Sequence, residues 1–180
     1  MIKKFKKISE EILHQNPWYE YKHDTFEFPD GKNGDYYYLE SPGAVMVVPL
    51  LPSGRIVLVR QFRYLQQKTG LEFPGGGLKP DQTPRQAAGV ELKEETGYDA
   101  DELISVGEFE PDNGFVKDRM HVFVAKVSQE DPGQANTEPS EEIEVLARFP
   151  DEIEAMVQAG DIWDGQTLAV WALVRHRFIK

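Results

Sequence analysis

The sequence contains no cysteine, no long apolar run and few cationic residues for its length. Without Cys, disulfide bonds, thiolate catalysis and Cys-based zinc sites are excluded. A membrane-spanning helix needs a run of about 18 or more apolar residues, and none occurs. The basic start, residues 1–16, turns polar and lacks the apolar segment of a signal peptide. We therefore expect a cytoplasmic protein that does not enter a membrane.

Positive charge is scarce, because 20 Lys and Arg stand against 31 Asp and Glu, a net charge of −11. Nucleic acids and anionic membranes bind positive surfaces, so neither is an expected partner. The negative charge favours solubility, but an acidic protein that acts on a phosphate compound needs cations to bridge the two. With 180 residues and 40% hydrophobic residues, the chain suits a globular fold with a sizeable core.

Strands and helices are both predicted along the chain. Extended or Val-rich segments bounded by turn residues predict strands at Trp18–Phe28, Asp35–Leu39, Ala44–Leu51, Arg55–Phe62, Leu103–Glu110, Met120–Val127 and Ile143–Phe149. Helices are predicted at Ile8–His14, Pro84–Thr96, Asp151–Ala159 and Gln166–Phe178. A Pro-Ser-Gly turn joins the third and fourth strands as a hairpin. This mixture predicts an α/β or α+β sandwich around a mixed sheet.

The helix from Pro84 has clear end signals. Thr83 is the predicted N-cap, Pro84 suits the first helical position, and Gln86 completes a capping box. Gly97 suits the left-handed position just after the helix.

An acidic cluster lies on the last turns of this helix. Glu91, Glu94 and Glu95 are spaced i, i+3 and i+4 and share one face, where like charges repel by roughly 0.2–0.5 kcal/mol per pair. The C-terminal end of a helix also disfavours anions. A solvated acidic face is one reading. Because the helix follows a Gly-rich loop and breaks several local rules, a site for Mg²⁺ or Mn²⁺ is the reading we favour.

The same segment resembles the Nudix box. Gly76, five residues, Gln82, seven residues and then VELKEETGY to Tyr98 follow the family pattern G-x5-E-x7-R-E-U-x-E-E-x-G-U, where U is a bulky aliphatic residue. Gln82 and Val90 replace the Glu and Arg that support each other in the family, and Tyr98 replaces an aliphatic residue. Both supporting residues are changed while all the metal-holding Glu residues remain, so we expect a changed scaffold around an intact metal site.

Further segments are similar to the ADP-ribose and nucleoside diphosphate sugar pyrophosphatase branch of that family. They are NPW at 16–18, VRQFRY at 59–64, LEFPGG at 71–76, RMHVF at 119–123 and GDIWD at 160–164. The branch often has a Pro sixteen residues after the last glycine of the box, which is Gly97 here. This chain has Asn113 at that position. That departure leaves room for GDP-mannose or other nucleotide sugars beside ADP-ribose.

The resemblance implies a Nudix fold, an α/β/α sandwich, with Mg²⁺-dependent hydrolysis of ADP-ribose to AMP and ribose 5-phosphate. Glu91 and Glu95 would be the main metal ligands, Glu94 would assist, and the Gly75 carbonyl would be a further ligand. The general base would precede the late strand, with Glu141 the first choice and Glu142 the second. Residues 136–142 are otherwise an acidic solvent loop.

Substrate binding is assigned by the same resemblance. Arg63 is the expected phosphate ligand because Arg grips phosphate through parallel donors. Arg60 is a second candidate, although alternation along a strand puts the two on opposite faces. Trp18 and Tyr36 match the branch's base-stacking positions, or pack ordinarily. We interpret Trp163, Trp171 and His121 as packing residues.

Residues 1–43 resemble the helix and β-hairpin extension through which the branch forms homodimers, and 44–180 would be the Nudix domain. An exposed aromatic-rich hairpin would otherwise be a liability. Rival hypotheses are a nucleoside triphosphate hydrolase, a non-catalytic nucleotide sensor and a cation-binding structural domain. The N-terminal extension and Arg63 argue against a triphosphate hydrolase. The retained carboxylates argue against a sensor. The Trp and Arg positions would be unexplained in a structural domain.

Overall fold

The computed structural model describes residues 4–133, 135 and 142–179. It divides into two compact units, Met1–Gly43 with Glu110–Arg119 and Ala44–Phe109 with Met120–Lys180. In chain order the elements are β1 (Lys6–Gln15), β2 (Glu20–Glu27), β3 (Asn33–Glu40), β4 (Ala44–Leu50), β5 (Ile56–Arg63), β6 (Lys68–Glu72), β7 (Gly75–Gly77), α1 (Pro84–Thr96), β8 (Glu102–Phe109), β9 (Val116–Lys117), β10 (Met120–Lys126), β11 (Glu144–Arg148), α2 (Pro150–Ala159) and α3 (Gly165–Val174), which a 3-10 turn at Arg175–Arg177 extends. No helix within the described part is long and apolar enough to cross a membrane.

The first unit is a four-stranded sheet in the order β1-β2-β3-β9. The segment Glu110–Arg119 joins it because β9 pairs in parallel with β3, Leu39 opposite Val116. Lys22 is buried in this unit and forms ion pairs with Glu20 and Glu40 at 2.9 and 2.7 Å. The sheet therefore buries charge only where partners surround it.

The predicted helix at Ile8–His14 is wrong, since these residues lie in β1. The strand pairs antiparallel with β2 along its length. The Asn16 side chain accepts hydrogen bonds from the backbone N–H of Trp18 and Tyr19, both at 2.9 Å, which closes the hairpin turn. A seven-residue helix is marginal without a packed face. Pairing with a neighbouring strand therefore decides the conformation.

The second unit is built on a mixed sheet in the order β11-β5-β4-β10-β8. Strands β4 and β10 are parallel, and the other pairs are antiparallel. The predicted hairpin of β4 and β5 is confirmed, with Gly54 at φ +84° in its turn. The two strands pair only at Leu50 and Ile56. Beyond that point β6 pairs with β5 and β7 with β4, so the glycine segment lies against the middle of the sheet.

The sheet is covered on both faces. On one face Met46 and Val48 of β4 join a core that includes Trp171 and residues of α2 and α3. On the other face Val45 and Val47 join a core with α1. Alternate residues of a strand point to opposite faces, so a strand as apolar as β4 belongs between two layers. The predicted α/β/α sandwich is confirmed.

Helix α1 begins and ends as predicted. Thr83 accepts from the backbone of Gln86, whose side chain accepts in turn from the Thr83 N–H at 2.9 Å. Gly97 follows the helix at φ +76°, and its carbonyl accepts from Gly133 at 3.0 Å. A methyl group at Gly97 would collide with the carbonyl oxygen of Gly133. The glycine thus allows both the left-handed turn and the close approach of a second backbone.

We predict that Gly97→Ala destabilises the protein more than Gly160→Ala does. Gly160 ends α2 at φ +80°, with nothing within 4 Å of an added methyl group. Both changes incur the left-handed strain of ~1–2 kcal/mol. Gly97→Ala adds overlap with the Gly133 backbone, a further ~1–3 kcal/mol. Urea unfolding followed by tryptophan fluorescence measures the difference, and equal losses would contradict the proposed close packing.

Candidate active site

The centre of the candidate site is the glycine segment β7. It pairs with β4, Gly75 opposite Met46 and Gly76 opposite Val45. A methyl group at Gly75 would collide with the Val45 carbonyl oxygen, and one at Gly76 would lie 2.6 Å from the Glu91 carboxylate. The absence of side chains therefore lets two backbones and a carboxylate meet.

Two of the predicted metal ligands converge on this segment. Glu95 is 6% exposed and accepts a hydrogen bond from the Gly75 N–H at 2.9 Å. The Glu91 carboxylate lies against Gly76. Glu94 is on the same helix and half-buried. Helix α1 thus brings Glu91 and Glu95 to the backbone of Gly75 and Gly76.

The chemistry of these donors suits a hard divalent cation. Within residues 4–133, 135 and 142–179, no three His, Asp or Glu side chains form a ready metal cluster. The groups gathered at β7 are two carboxylates beside the glycine backbone. Carboxylate and backbone carbonyl oxygens are the ligands of Mg²⁺ and Mn²⁺, which complete their shell with water and substrate oxygens. Glu91, Glu95 and the Gly75 carbonyl therefore fit such an ion.

Arg63 lies at the end of β5 and pairs with Glu72. Its Nε donates to Glu72 Oε1 at 2.8 Å, and its Nη2 donates to the other carboxylate oxygen. These hydrogen bonds, with the negative charges of Glu72, Asp164 and Glu95, raise the pKa of the Arg63 guanidinium above its ordinary value. The carboxylate is buried and the guanidinium half-exposed. The site therefore holds a fixed cation beside its acidic residues.

The other predicted binding residues lie elsewhere in the two units. Arg60 forms an exposed ion pair with Glu144 of β11, at 2.8 Å. In the first unit, Trp18 is exposed in the β1–β2 turn. Tyr36 donates its hydroxyl to the Gly114 carbonyl at 2.6 Å and lines a cavity of about 480 Å³ with Phe115. Both side chains are exposed, and their roles stay predictions.

The two candidates for the general base are adjacent in the sequence, and the structure describes only one of them. Glu141 lies outside the described residues. Glu142 is exposed, two residues before β11. The assignment of the base therefore stays a prediction.

The departures from the box have local structural explanations. The Gln82 side chain accepts from the Lys79 N–H at 3.2 Å, which closes the turn before α1. Val90 is exposed. Tyr98 is buried, and its hydroxyl donates to the Glu130 carbonyl at 2.8 Å, a contact no aliphatic residue could make. Burial raises the pKa of the Tyr98 phenol. Each of the three residues is therefore compatible with the structure at its position near α1.

Sequence reasoning missed Glu72 as a site residue, although a signal was present. A carboxylate between Leu71 and Phe73, in an apolar run, is unusual unless it is paired. Of the two Trp residues predicted to be packing residues, Trp171 lies in the core at 2% exposure. Trp163 instead donates to the Thr69 carbonyl at 3.1 Å and contacts the Lys68 ammonium. His121 is half-buried and 3.4 Å from Glu108.

Comparison with known proteins identifies the class. Residues 40–169 match the Nudix domain, and residues 5–39 match the N-terminal domain of nucleoside diphosphate sugar hydrolases. The chain belongs to the Nudix hydrolase family, and it is an enzyme.

Relatives narrow the class further. The chain is 31% identical over 144 residues to an ADP-ribose pyrophosphatase of Bacillus subtilis, covering 80% of this chain and 78% of the relative. It is 28% identical over 180 residues to a GDP-mannose pyrophosphatase of Citrobacter koseri, covering 93% of each. The crystal structure of an ADP compounds hydrolase has the same fold, with a TM-score of 0.84 and 21% identity over 98% of this chain and 95% of that one.

We predict that Gly76→Ala removes activity while Gly77→Ala is tolerated. An added methyl group at Gly76 would displace the Glu91 carboxylate, the mobile end of a side chain, whereas one at Gly77 meets nothing within 4 Å. Both variants should stay within about 1 kcal/mol of the parent in urea unfolding. Pyrophosphatase activity should fall ~10²-fold or more only in Gly76→Ala, because misplaced ligands lose the ion's stabilisation of the transition state. Equal activity in the two variants would contradict the proposed contact.

Proposed function

We propose that the protein hydrolyses the pyrophosphate bond of nucleoside diphosphate sugars and that it uses Mg²⁺ to do so. We propose ADP-ribose as the preferred substrate, with AMP and ribose 5-phosphate as the products. The observation that carries this proposal is the convergence of Glu91 and Glu95 on Gly75 and Gly76 beside the charge of Arg63. The Bacillus subtilis relative bears the name of the same activity. Mn²⁺ is the expected substitute metal.

The chemistry divides among few groups. When bound, the divalent ion polarises the pyrophosphate oxygens and lowers the pKa of a water molecule. Glu91 and Glu95, with Glu94 assisting and the Gly75 carbonyl, would hold that ion. Arg63 would balance the charge of the phosphates. The water oxygen bonds to one phosphorus, the bond from that phosphorus to the bridging oxygen breaks, and the water proton passes to a glutamate.

We propose Glu141 as that glutamate and Glu142 as the second candidate. Both precede β11, where the family resemblance places the base. A general base contributes roughly 10²–10⁴-fold in rate. Glu141→Gln and Glu142→Gln, compared by kcat on the same substrate, decide between them, and two unaffected variants would exclude both.

Base recognition is proposed for Trp18 and Tyr36. Both rings are exposed in the first unit. Stacking of a nucleobase on an aromatic ring is worth ~1–3 kcal/mol, so removing a ring should raise KM. Trp18→Ala and Tyr36→Ala test this, and an unchanged KM would exclude stacking. Arg60 is a second phosphate-binding candidate, and Arg60→Ala should raise KM less than Arg63→Ala does, since alternation along β5 puts Arg60 on the face opposite to Arg63.

GDP-mannose is the second candidate substrate. The alignment with the relative named for this activity covers nearly the whole of both chains. Asn113, at the position where the ADP-ribose branch often has Pro, also favours a broader choice of nucleotide sugar. A cytoplasmic location stays a prediction from the sequence.

We predict that a diphosphate sugar is cleaved faster than any nucleoside triphosphate. The purified protein is incubated with Mg²⁺ and, separately, ADP-ribose, GDP-mannose, other nucleotide sugars and the triphosphates, with products separated by ion-exchange chromatography. Glu95→Gln should lower kcat/KM by ~10²-fold or more, and chelation should abolish activity until Mg²⁺ or Mn²⁺ is restored.

The matched control is Glu102→Gln, which removes an exposed carboxylate paired with Lys126 and should keep full activity. Faster cleavage of a triphosphate would replace the proposed substrate class. Nucleotide binding without any cleavage would favour a sensor.

We also propose that the chain forms a homodimer through β1. This strand is the edge of its sheet, and Ile8, Ile12 and Leu13 are 44–50% exposed along it. Phe5, just before the strand, is 58% exposed. A long apolar edge strand is a ready template for another chain. Ile8→Lys with Ile12→Lys should yield a monomer in sedimentation equilibrium. Leu65→Lys, at an exposed leucine of the second unit, should leave the dimer intact, and a monomeric parent would refute the proposal.

A further inference from the structure

Glu72 is a buried carboxylate in an otherwise apolar stretch. Its side chain is 3% exposed and lies between the buried Leu71 and Phe73. A buried carboxylate is costly unless charge and hydrogen bonds compensate it. Arg63 supplies both, through hydrogen bonds to both carboxylate oxygens. The pair is asymmetric, because the Arg63 side chain is 44% exposed.

The form of this pair determines what Arg63 can still bind. Glu72 takes the Nε edge of the guanidinium, through Nε and one N–H of Nη2. A guanidinium carries five N–H donors, so this contact leaves the two of Nη1 and the second of Nη2. The second N–H of Nη2 and one N–H of Nη1 form the end-on edge, which can receive two oxygens of one phosphate in parallel.

The surroundings of Glu72 leave its carboxylate little freedom. A methyl group at Gly70 would lie 2.8 Å from Glu72 Oε1 and 3.1 Å from the Trp163 ring. Trp163 is fixed by its hydrogen bond to the Thr69 carbonyl, and the Lys68 ammonium lies 3.7 Å from its ring centroid. Glu72 and Trp163 therefore both pack against the backbone of Gly70, where a side chain would not fit. The carboxylate oxygen that accepts from Arg63 Nε therefore lies against Gly70.

Arg63 also has competing partners. Asp164 and Glu95 both act on its charge. Asp164 is engaged in capping α3, where it accepts from the Thr167 N–H at 2.7 Å. Glu95 is a proposed metal ligand. Without a stronger partner, the guanidinium would be drawn toward Glu95, because unlike charges attract strongly where water is partly excluded. A bidentate contact on the Nε edge opposes that movement.

We propose that Glu72 is a positioning residue for substrate binding: it fixes Arg63 so that the end-on edge of the guanidinium receives a phosphate of the substrate. The proposal rests on the proposed function, in which Arg63 binds that phosphate. It assigns a binding role to a residue that touches no substrate and to the bare backbone of Gly70.

The test is a double-mutant cycle in the full-length protein with ADP-ribose as substrate. Arg63→Ala, Glu72→Gln and the double variant are compared by kcat and KM, with urea unfolding as a separate readout. Glu72→Gln should lower kcat/KM by about 10–100-fold, the range seen when a group that orients a ligand is removed. In the Arg63→Ala background it should change kcat/KM less than about twofold, since an orienting residue has no effect once its target is gone. Effects that multiply would overturn the proposal.

Chemical rescue gives a readout that a purely structural role would not move. Millimolar guanidinium added to Arg63→Ala should restore part of kcat/KM, because Glu72 binds the free cation where the side chain stood. The double variant should show no rescue. Equal rescue of both variants would overturn the proposal.

A third variant covers the case in which Glu72→Gln does not fold. Arg63→Lys keeps a cation for Glu72 but has no planar fork. It should unfold near the parent urea concentration and lose kcat/KM as Arg63→Ala does. Parent-like kcat/KM in Arg63→Lys would overturn the proposal. Full activity in Arg63→Ala would instead refute the phosphate role of Arg63, and a parent protein that cleaves no nucleotide sugar would refute the proposed function.

Discussion

The close approach of the β7 backbone to strand β4 and helix α1 is the constraint on which the site depends. At Gly75 the neighbour is a carbonyl oxygen of Val45, and at Gly76 it is the carboxylate of Glu91. A side chain at Gly75 would push the loop away from β4, and one at Gly76 would push the Glu91 carboxylate away from the loop. Because β4 and β5 pair only at their turn, β7 can reach the middle of the sheet. The fold and the site are thus joined through backbone contacts that only glycine permits.

Charge in the second unit is arranged around that contact. Glu95 is held by a backbone N–H and Glu72 by a guanidinium, so neither buried carboxylate lacks a polar partner. A chain of net charge −11 repels phosphate compounds in general. One fixed Arg and a bound divalent cation would reverse that repulsion locally, which makes binding of an anionic substrate depend on the metal. The acidic surface and the proposed cation requirement are therefore parts of one electrostatic argument.

Local signals predicted some elements well because their causes are local. The start of α1 follows from Thr83, Pro84 and Gln86, and its end follows from Gly97, all within a few residues of the bonds they make. The Gly54 turn and the apolar β4 were predictable for the same reason. The spacing i, i+3, i+4 predicted that Glu91 and Glu95 share a face, and both carboxylates reach the glycine segment.

Other features depend on contacts between distant parts of the chain, which a linear pattern does not contain. Residues 8–14 have a helix-like spacing of Ile8 and Ile12, yet pairing with β2 makes them a strand. The segment Glu110–Arg119 joins the first unit through two residues of β9. The apolar neighbours of Glu72 indicate that it needs a partner, but they do not identify Arg63, nine residues away. Pairing of this kind is a property of the tertiary structure.

The departures from the Nudix box show which parts of that motif can change. Gln82 still closes the loop through Lys79, although a neutral amide replaces a carboxylate, and it needs no cation at position 90. An exposed Val90 is acceptable there, because the Gln82 side chain carries no charge to neutralise. Tyr98, just after α1, donates its hydroxyl to the carbonyl of Glu130. The residues that support the helix have changed together, whereas Gly76 and Glu91 meet across a space too small for a methyl group and leave no room for such a change.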